Sequence, residues 1–158
     1  MSIAERIKDL IKSAPTPEQG AESALGAILA ETATTSGTVH LIPPGGQMME
    51  LLAAREIPPG VLEKVRVIPI GKGMAGVAVE KRQPVTTCNL QQDDAGGVIR
   101  QGARATGVQG ALAVPIVVDG EAIGALGVAT REPRDFTRAE IDAILAMANV
   151  VGGALRAR

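Results

Sequence analysis

The chain has 158 residues, of which 46% are hydrophobic and 21% charged, and its formal net charge is −1. This length suits one domain with a hydrophobic core, and the composition excludes a disordered chain. The mixed, nearly balanced charge argues against nucleic-acid binding, and no apolar run reaches the roughly 18 residues that a membrane span needs.

Cysteine and aromatic residues are scarce. The chain has one cysteine and one phenylalanine, with no tyrosine or tryptophan. One cysteine cannot form an internal disulfide, which is typical of a reducing cytoplasm, and the N-terminus lacks the basic and apolar segments of a signal peptide. We therefore predict a cytoplasmic protein that binds neither nucleic acid nor a membrane.

The first two predicted elements are helices with clear start signals. Ser2 and Glu5 form a capping box, and Thr16 begins a second one. Pro15 ends the first helix, and the second fades at residues 32–36, where β-branched and hydroxyl residues accumulate.

The middle of the chain alternates extended runs with turns rich in proline and glycine. The glycine-rich run at 71–76 predicts a turn that leads into a short helix ending near Val79, and the polar run at 91–107 predicts a loop. The predicted strands are residues 37–42, 47–54, 65–70 and 83–90, with breaks at 43–46 and 57–60.

Residues 109–130 predict a β-hairpin, because an Asp-Gly pair at 119–120 separates two apolar runs. A two-residue loop pairs Val118 with Glu121, and Pro115 calls for a bulge or a sheet edge nearby. The same register pairs Ile116 with Ile123, Val114 with Ala125, and Leu112 with Gly127. Both faces of the hairpin are apolar, so we predict helices on one face and a small pocket on the other.

The last predicted helix begins after Thr137, which forms a third capping box with Glu140. It carries two adjacent apolar stripes, whereas a single sheet contact needs one. The stripes are Ile141, Leu145, Ala148, Gly152 and Leu155, and Ile144, Met147, Val151 and Ala154; Arg138, Asp142, Asn149 and Arg156 lie on the remaining side. The first helix offers a similar face in Ile3, Ile7 and Leu10. We therefore predict a homodimer through the terminal helices; the alternative is that both helices pack within one subunit.

The chain resembles a GAF domain, a small-molecule-sensing module of bacterial signalling proteins. The resemblance runs from about Pro17 to the end and rests on five motifs in order: GKGMAG at 71–76, QPV at 83–85, AVPI at 113–116, GALG at 124–127 and FTRAE at 136–140. It implies an α+β fold, with an antiparallel five- to six-stranded sheet, helices packed on one face and a ligand pocket on the other. Residues 1–14 are then an N-terminal dimerisation helix, and residues 15–158 the GAF domain.

The predicted pocket wall consists of small hairpin residues. Ala113 and Gly124, with Ala111 and Ala129, leave volume beside the sheet that bulky side chains would fill. We predict Ala113 and Gly124 to be ligand-binding; the alternative is that a helix packs closely on them.

Further candidate ligand-binding residues come from the strand and the loop before the hairpin. Arg100 and Arg104 lie four apart with Thr106 nearby, and their guanidinium groups would hold an anionic ligand if the loop folds over the pocket; the alternative is a solvated loop. Cys88 is a further candidate, although a packed strand residue is the simpler interpretation.

Two other features have ordinary structural explanations. His40, the only histidine, lacks partners at metal-ligand spacing and is interpreted as a surface or satisfied strand residue. The glycines at 71–76 match a dinucleotide-binding pattern, but the surrounding hairpins favour a tight strand-to-helix turn. We expect no cofactor and no metal ion.

The resemblance implies a non-catalytic sensor that binds an unknown small molecule and signals to a separate protein. One alternative is an enzyme similar to free methionine-(R)-sulfoxide reductase. That chemistry needs several cysteines, and the family usually has a cysteine where this chain has Ala75, so we predict no catalysis. A ligand-free dimerisation module is a further alternative. A cyclic nucleotide is disfavoured because the corresponding signature residues and a ring for purine stacking are missing.

Overall fold

A computed structural model describes residues 1–87 and 107–158 of the chain. The helices are α1 (Ile3–Ser13), α2 (Pro17–Thr32), α3 (Pro59–Val65), α4 (Gly73–Lys81) and α5 (Arg138–Arg156). The strands are β1 (Ser36–Leu41), β2 (Met48–Arg55), β3 (Val67–Pro69), β4 (Val85–Thr87), β5 (Ala111–Val118) and β6 (Glu121–Ala129).

The described strands form a six-stranded sheet in the order β3-β2-β1-β6-β5-β4, and every neighbouring pair is antiparallel. The α+β fold with an antiparallel sheet, predicted from the sequence, is confirmed. Because dinucleotide-binding folds of the doubly wound type need parallel strands, this sheet excludes the alternative interpretation of residues 71–76.

The long helices α1, α2 and α5 form the layer on one face of the sheet. Their apolar side chains meet those of Leu112, Val114 and Ile116 of β5 in the main hydrophobic core. The capping boxes at Ser2 and Thr137 are both formed, so local signals in the sequence define where α1 and α5 begin.

On the other face, α4 packs against β5 and β6 around a second, smaller core. That core consists of Met49, Ile68, Val79 and Ala125. The preceding helix α3 was not predicted. In the sequence, Pro58 and Pro59 look like a break between elements. Proline is well tolerated in the first turn of a helix, however, and α3 begins at Pro59. Val61 is the buried residue of this helix.

The predicted register of the β5–β6 hairpin is correct only next to its turn. Asp119 and Gly120 both have positive φ, and Val118 pairs with Glu121 as expected. A bulge then leaves Ile123 as an extra residue, so that Ile116 pairs with Gly124, Val114 with Leu126, Ala113 with Gly127, and Leu112 with Val128. The pairings predicted beyond the turn are therefore wrong by one residue, because the bulge expected near Pro115 shifts the partner strand.

The terminal helices contact each other within one subunit. Ile7 of α1 is fully buried, so the prediction that it is free for a partner subunit is wrong. Ile3 and Leu10 are half-buried. Both stripes of α5 contribute buried residues, and α5 contacts α1 as well as the sheet. The second helix partner that the two stripes called for is thus α1 of the same chain, and the dimerisation role of residues 1–14 stays a prediction.

Asn149 also differs from its predicted place on the polar side of α5. It is half-buried, and its Oδ1 accepts a hydrogen bond from the backbone N–H of Val117 at 2.9 Å. Val117 pairs with Ala122 next to the bulge in β6, so this bond connects α5 to the part of β5 that lies opposite the bulge. Within 1–87 and 107–158, every helix is too short or too polar to cross a membrane.

Candidate ligand-binding cavity

A cavity of about 440 Å³ lies between the sheet and the α3–α4 segment. Strands β1, β5 and β6 form its floor, and its roof comes from α3, β3 and the first turn of α4. This is the face opposite α1, α2 and α5, where the pocket was predicted. Volumes of this size are ordinary for small-molecule sites in proteins.

The floor of the cavity is made of small residues. Ala111, Ala113 and Ala129 line it, as the sequence predicted. Gly124 does not line it: Gly124 lies where β6 passes β1, and a Cβ there would collide with the carbonyl oxygen of His40. Gly127 lies opposite Ala113 and takes the predicted place of Gly124, because the bulge changes which residues of β6 face the cavity.

His40 lies in the cavity wall and is 1% exposed, so its interpretation as a surface residue is wrong. Its Nε2 is 2.7 Å from the carbonyl oxygen of Val65, which requires the proton on Nε2. Its Nδ1 is buried, and no group among residues 1–87 and 107–158 forms a hydrogen bond with it. Burial lowers the pKa of His40 below its ordinary value, and the bond to Val65 only partly opposes this shift.

The alternation of β1 was the signal that could have placed His40 here. Val39 is fully buried in the main core, whereas Thr38 and His40 both line the cavity. Successive side chains of a strand point to opposite faces, so His40 must face the side away from the long helices. Alternation alone does not show whether that side is covered by solvent or by a cavity, and this is why a surface position was predicted for His40.

Two lysines, Lys64 and Lys72, are the charged residues among the described residues that line the cavity. Lys64 lies in the last turn of α3, and Lys72 is the N-cap residue of α4. The first turn of α4 has no side-chain cap, and residues 73–75 line the cavity beside Lys72. Uncapped N–H groups and the helix dipole add partial positive charge at this end.

The glycine-rich turn brings the start of α4 to the cavity. Gly71 and Gly73 both have positive φ, and the Gly71 N–H donates to the carbonyl oxygen of Gly76 at 2.8 Å. A Cβ on Gly76 would lie 2.5 Å from the carbonyl oxygen of Pro69. Residues 71–76 are therefore a tight strand-to-helix turn, as the sequence analysis favoured.

The other candidate ligand-binding residues, Cys88, Arg100, Arg104 and Thr106, lie outside the described residues. Their predicted roles stay predictions. Among residues 1–87 and 107–158, no group of three or more His, Cys, Asp or Glu side chains has an arrangement that could hold a metal ion.

Residues 15–156 match the family model described as GAF domain. No curated protein matches the chain. Among solved structures, the GAF domain of an Acinetobacter phosphoenolpyruvate-protein phosphotransferase aligns over 99% of this chain and 95% of its own, with 17% identity and a TM-score of 0.77. The GAF domain of a phosphoenolpyruvate-protein phosphotransferase from Coxiella burnetii aligns over 98% of this chain and 91% of its own, with 17% identity and a TM-score of 0.81.

Enzymes share the same fold. The free methionine-R-sulfoxide reductase from Neisseria meningitidis, solved in complex with its substrate, aligns over 98% of this chain and 87% of its own. Its identity is 15% and its TM-score 0.78. At these identities, the likeness to all three structures concerns the fold.

Proposed function

The chain belongs to the GAF domain family, and we propose that it is a non-catalytic regulatory module that binds a small molecule in the cavity between β5, β6 and the α3–α4 segment. The single observation that carries this proposal is the cavity itself. Its floor of alanine and glycine leaves a volume of about 440 Å³ beside the sheet. A module used only for dimerisation has no need of a concave site lined by buried apolar side chains on the face away from the long helices.

The two faces of β5 offer a route from the ligand to the terminal helices. Ala113 lines the cavity on one face, and Ile116 packs towards α5 on the other, so close that a Cβ on Gly152 would collide with it. The bond from Val117 to Asn149 connects the same strand to α5. A ligand regulates α5 by this route only if it binds two arrangements of the helix with different affinity.

We also propose a homodimer through α1 and α5, a separate signalling protein as the partner, and a cytoplasmic location. The half-buried apolar residues Ile3 and Leu10 of α1 support the dimer, and the single cysteine of the chain supports the location.

The absence of catalysis is part of the proposal. Sulfoxide reduction by thiols needs a nucleophilic cysteine and a second thiol that resolves the intermediate. This chain has one cysteine in all, and Ala75 occupies the cavity wall where the reductases that the sequence resembles usually carry a cysteine. The test is a turnover assay with free methionine sulfoxide and a thiol reductant; we expect no turnover above that of a Cys88→Ala variant, and turnover that this variant loses would overturn the proposal.

Native mass spectrometry of the protein purified from its own cells tests ligand binding. We expect a small molecule retained by the unchanged protein and lost from Ala113→Leu, because the larger side chain fills the floor of the cavity. Ala139→Leu is the matched control, since Ala139 is exposed on α5. A molecule that all three proteins retain equally, or a protein with no retained molecule, would contradict the proposed site.

A further inference from the structure

We infer that the ligand of the cavity is an aliphatic hydroxy acid, with its carboxylate bound by Lys64 and Lys72 and its hydroxyl group donating to Nδ1 of His40. This inference rests on the proposed function, since it names the chemical class that the same cavity takes. It combines two independent observations, the two lysines that line the cavity and an unpartnered buried acceptor in its wall.

The charge of the cavity favours an anion. Lys64 and Lys72 are both exposed and form no ion pair with any described residue. No acidic side chain is among the described residues that line the cavity. The nine-residue helix α4 begins beside Lys72 with no side-chain cap, so its first N–H groups add donors next to Lys72. A carboxylate there would be bound by charge-assisted hydrogen bonds.

The second observation is independent of charge. Because Nε2 of His40 donates to the carbonyl oxygen of Val65, Nδ1 carries a lone pair and can only accept a hydrogen bond. This atom is buried in a side chain that is 1% exposed, and no described group donates to it. Buried acceptors are almost always satisfied in proteins, so a donor from the ligand would complete the wall.

The remaining wall determines the rest of the ligand. Val61, Ile68 and Ala113 are apolar and buried, and no aromatic residue is among the described lining residues. Such a surface favours an aliphatic chain over a ring that needs stacking. A hydroxyl donor also fits better than an ammonium group, because a second cation would be repelled by the two lysines.

The inference is tested by titration calorimetry on the full chain with three matched probes. These are α-hydroxyhexanoate, hexanoate, which lacks the hydroxyl group, and α-hydroxyhexanamide, which lacks the charge. We expect the hydroxy acid to bind and each of the other two to bind about tenfold more weakly, since each loses one polar interaction. The shorter and longer acids α-hydroxybutanoate and α-hydroxyoctanoate extend the series.

Two variants and one control locate the carboxylate. Lys72→Gln and Lys64→Gln should each weaken the hydroxy acid by severalfold and leave the amide unchanged, because only the acid carries charge. Lys81→Gln is the control, since Lys81 lies at the other end of α4 and does not line the cavity. The donor is located by the ring nitrogen signals of the only histidine: Nδ1 should shift with hydroxyhexanoate and stay unchanged with hexanoate.

The outcomes separate this inference from the proposed function. If the amide and the acid bind equally well and Ala113→Leu abolishes the binding of both, the cavity remains a ligand site but the assignment of a hydroxy acid is overturned. If Lys64→Gln and Lys72→Gln change the affinity for the acid no more than Lys81→Gln does, the proposed position of the carboxylate is overturned. No binding of any of the three hydroxy acids at millimolar concentration would overturn the inference, while the molecule retained in native mass spectrometry decides the proposed function by itself.

Discussion

His40 is a buried titratable residue in a strand, and its environment changes its protonation. Burial lowers its pKa from 6.5 in the folded chain, although the hydrogen bond to Val65 acts in the opposite direction. In the unfolded chain the ring is free to titrate near its usual value. The folded ring therefore stays neutral over a range of pH in which the unfolded ring is already protonated.

This difference predicts how stability depends on pH. Below 6.5, and down to the lowered pKa of the folded state, the unfolded chain binds more protons than the folded chain, so the free energy of unfolding falls as the pH falls. Above 6.5 the ring is neutral in both states and contributes no slope. Urea unfolding across this range should show the loss in the unchanged protein and a flatter profile in His40→Phe. Equal slopes in the two proteins would contradict the prediction.

Gly76 gives a second prediction for a single residue. Its Cβ position is 2.5 Å from the carbonyl oxygen of Pro69, so backbone must move before any side chain fits. Gly76→Ala should lower the free energy of unfolding by about 1–3 kcal/mol. Gly60→Ala is the control: Gly60 lies in α3 with open space around it, and alanine there should be neutral or stabilising by up to about 1 kcal/mol. Similar losses in both variants would show that the close approach at Gly76 is not the cause.

The residues of the cavity were predictable from the sequence only in part. Ala113 was identified because small residues in a strand leave volume, which is a local property. Gly127 was missed because its position depends on the bulge in β6. Lys64 and Lys72 were missed because they reach the cavity through α3 and the turn at 71–76, and neither spacing nor composition indicates that two separate segments form one roof.

At the scale of elements, the helix starts were the most predictable features and the strand registers the least. A capping box depends on only four consecutive residues, so it can be recognised locally. The capping boxes at Ser2 and Thr137 are both present, as predicted. The register of β5 on β6 depends on a bulge that α5 contacts from another part of the chain. Helix α3 escaped prediction because its seven residues are too few to show a periodic pattern.

The bond from Val117 to Asn149 predicts that α5 stabilises the bulge. Asn149→Leu should leave the half-buried Val117 N–H without its acceptor and lower the free energy of unfolding by about 1–3 kcal/mol. Amide hydrogen exchange at Val117 should become faster. Asn149→Asp, which keeps the Oδ1 acceptor, is the matched control and should keep slow exchange. Unchanged exchange in Asn149→Leu would mean that the strand holds the bulge by itself.

At the scale of the whole molecule, both ends of the chain meet in the helical layer. The Arg158 guanidinium group donates to the carbonyl oxygens of Ile11 and Ala14, at 2.6 and 2.9 Å, at the end of α1. Helix α1 therefore belongs to the same packed layer as α5, and it contributes the fully buried Ile7 and Ile11 to the main core. A dimer must therefore form through the side chains that this packing leaves on the outer surface of the helical layer.

The proposed homodimer predicts which residues matter for association. Leu10 is half-buried on α1 and is absent from the main core, so a partner subunit would cover it. Sedimentation should give a dimer for the unchanged protein and a monomer for Leu10→Glu, with the same helix content by circular dichroism. Lys8→Glu, an exposed change of charge on the same helix, is the control and should remain a dimer. A strict monomer of the unchanged protein at high concentration would remove the dimer, and regulation would then have to act through α5 within one subunit.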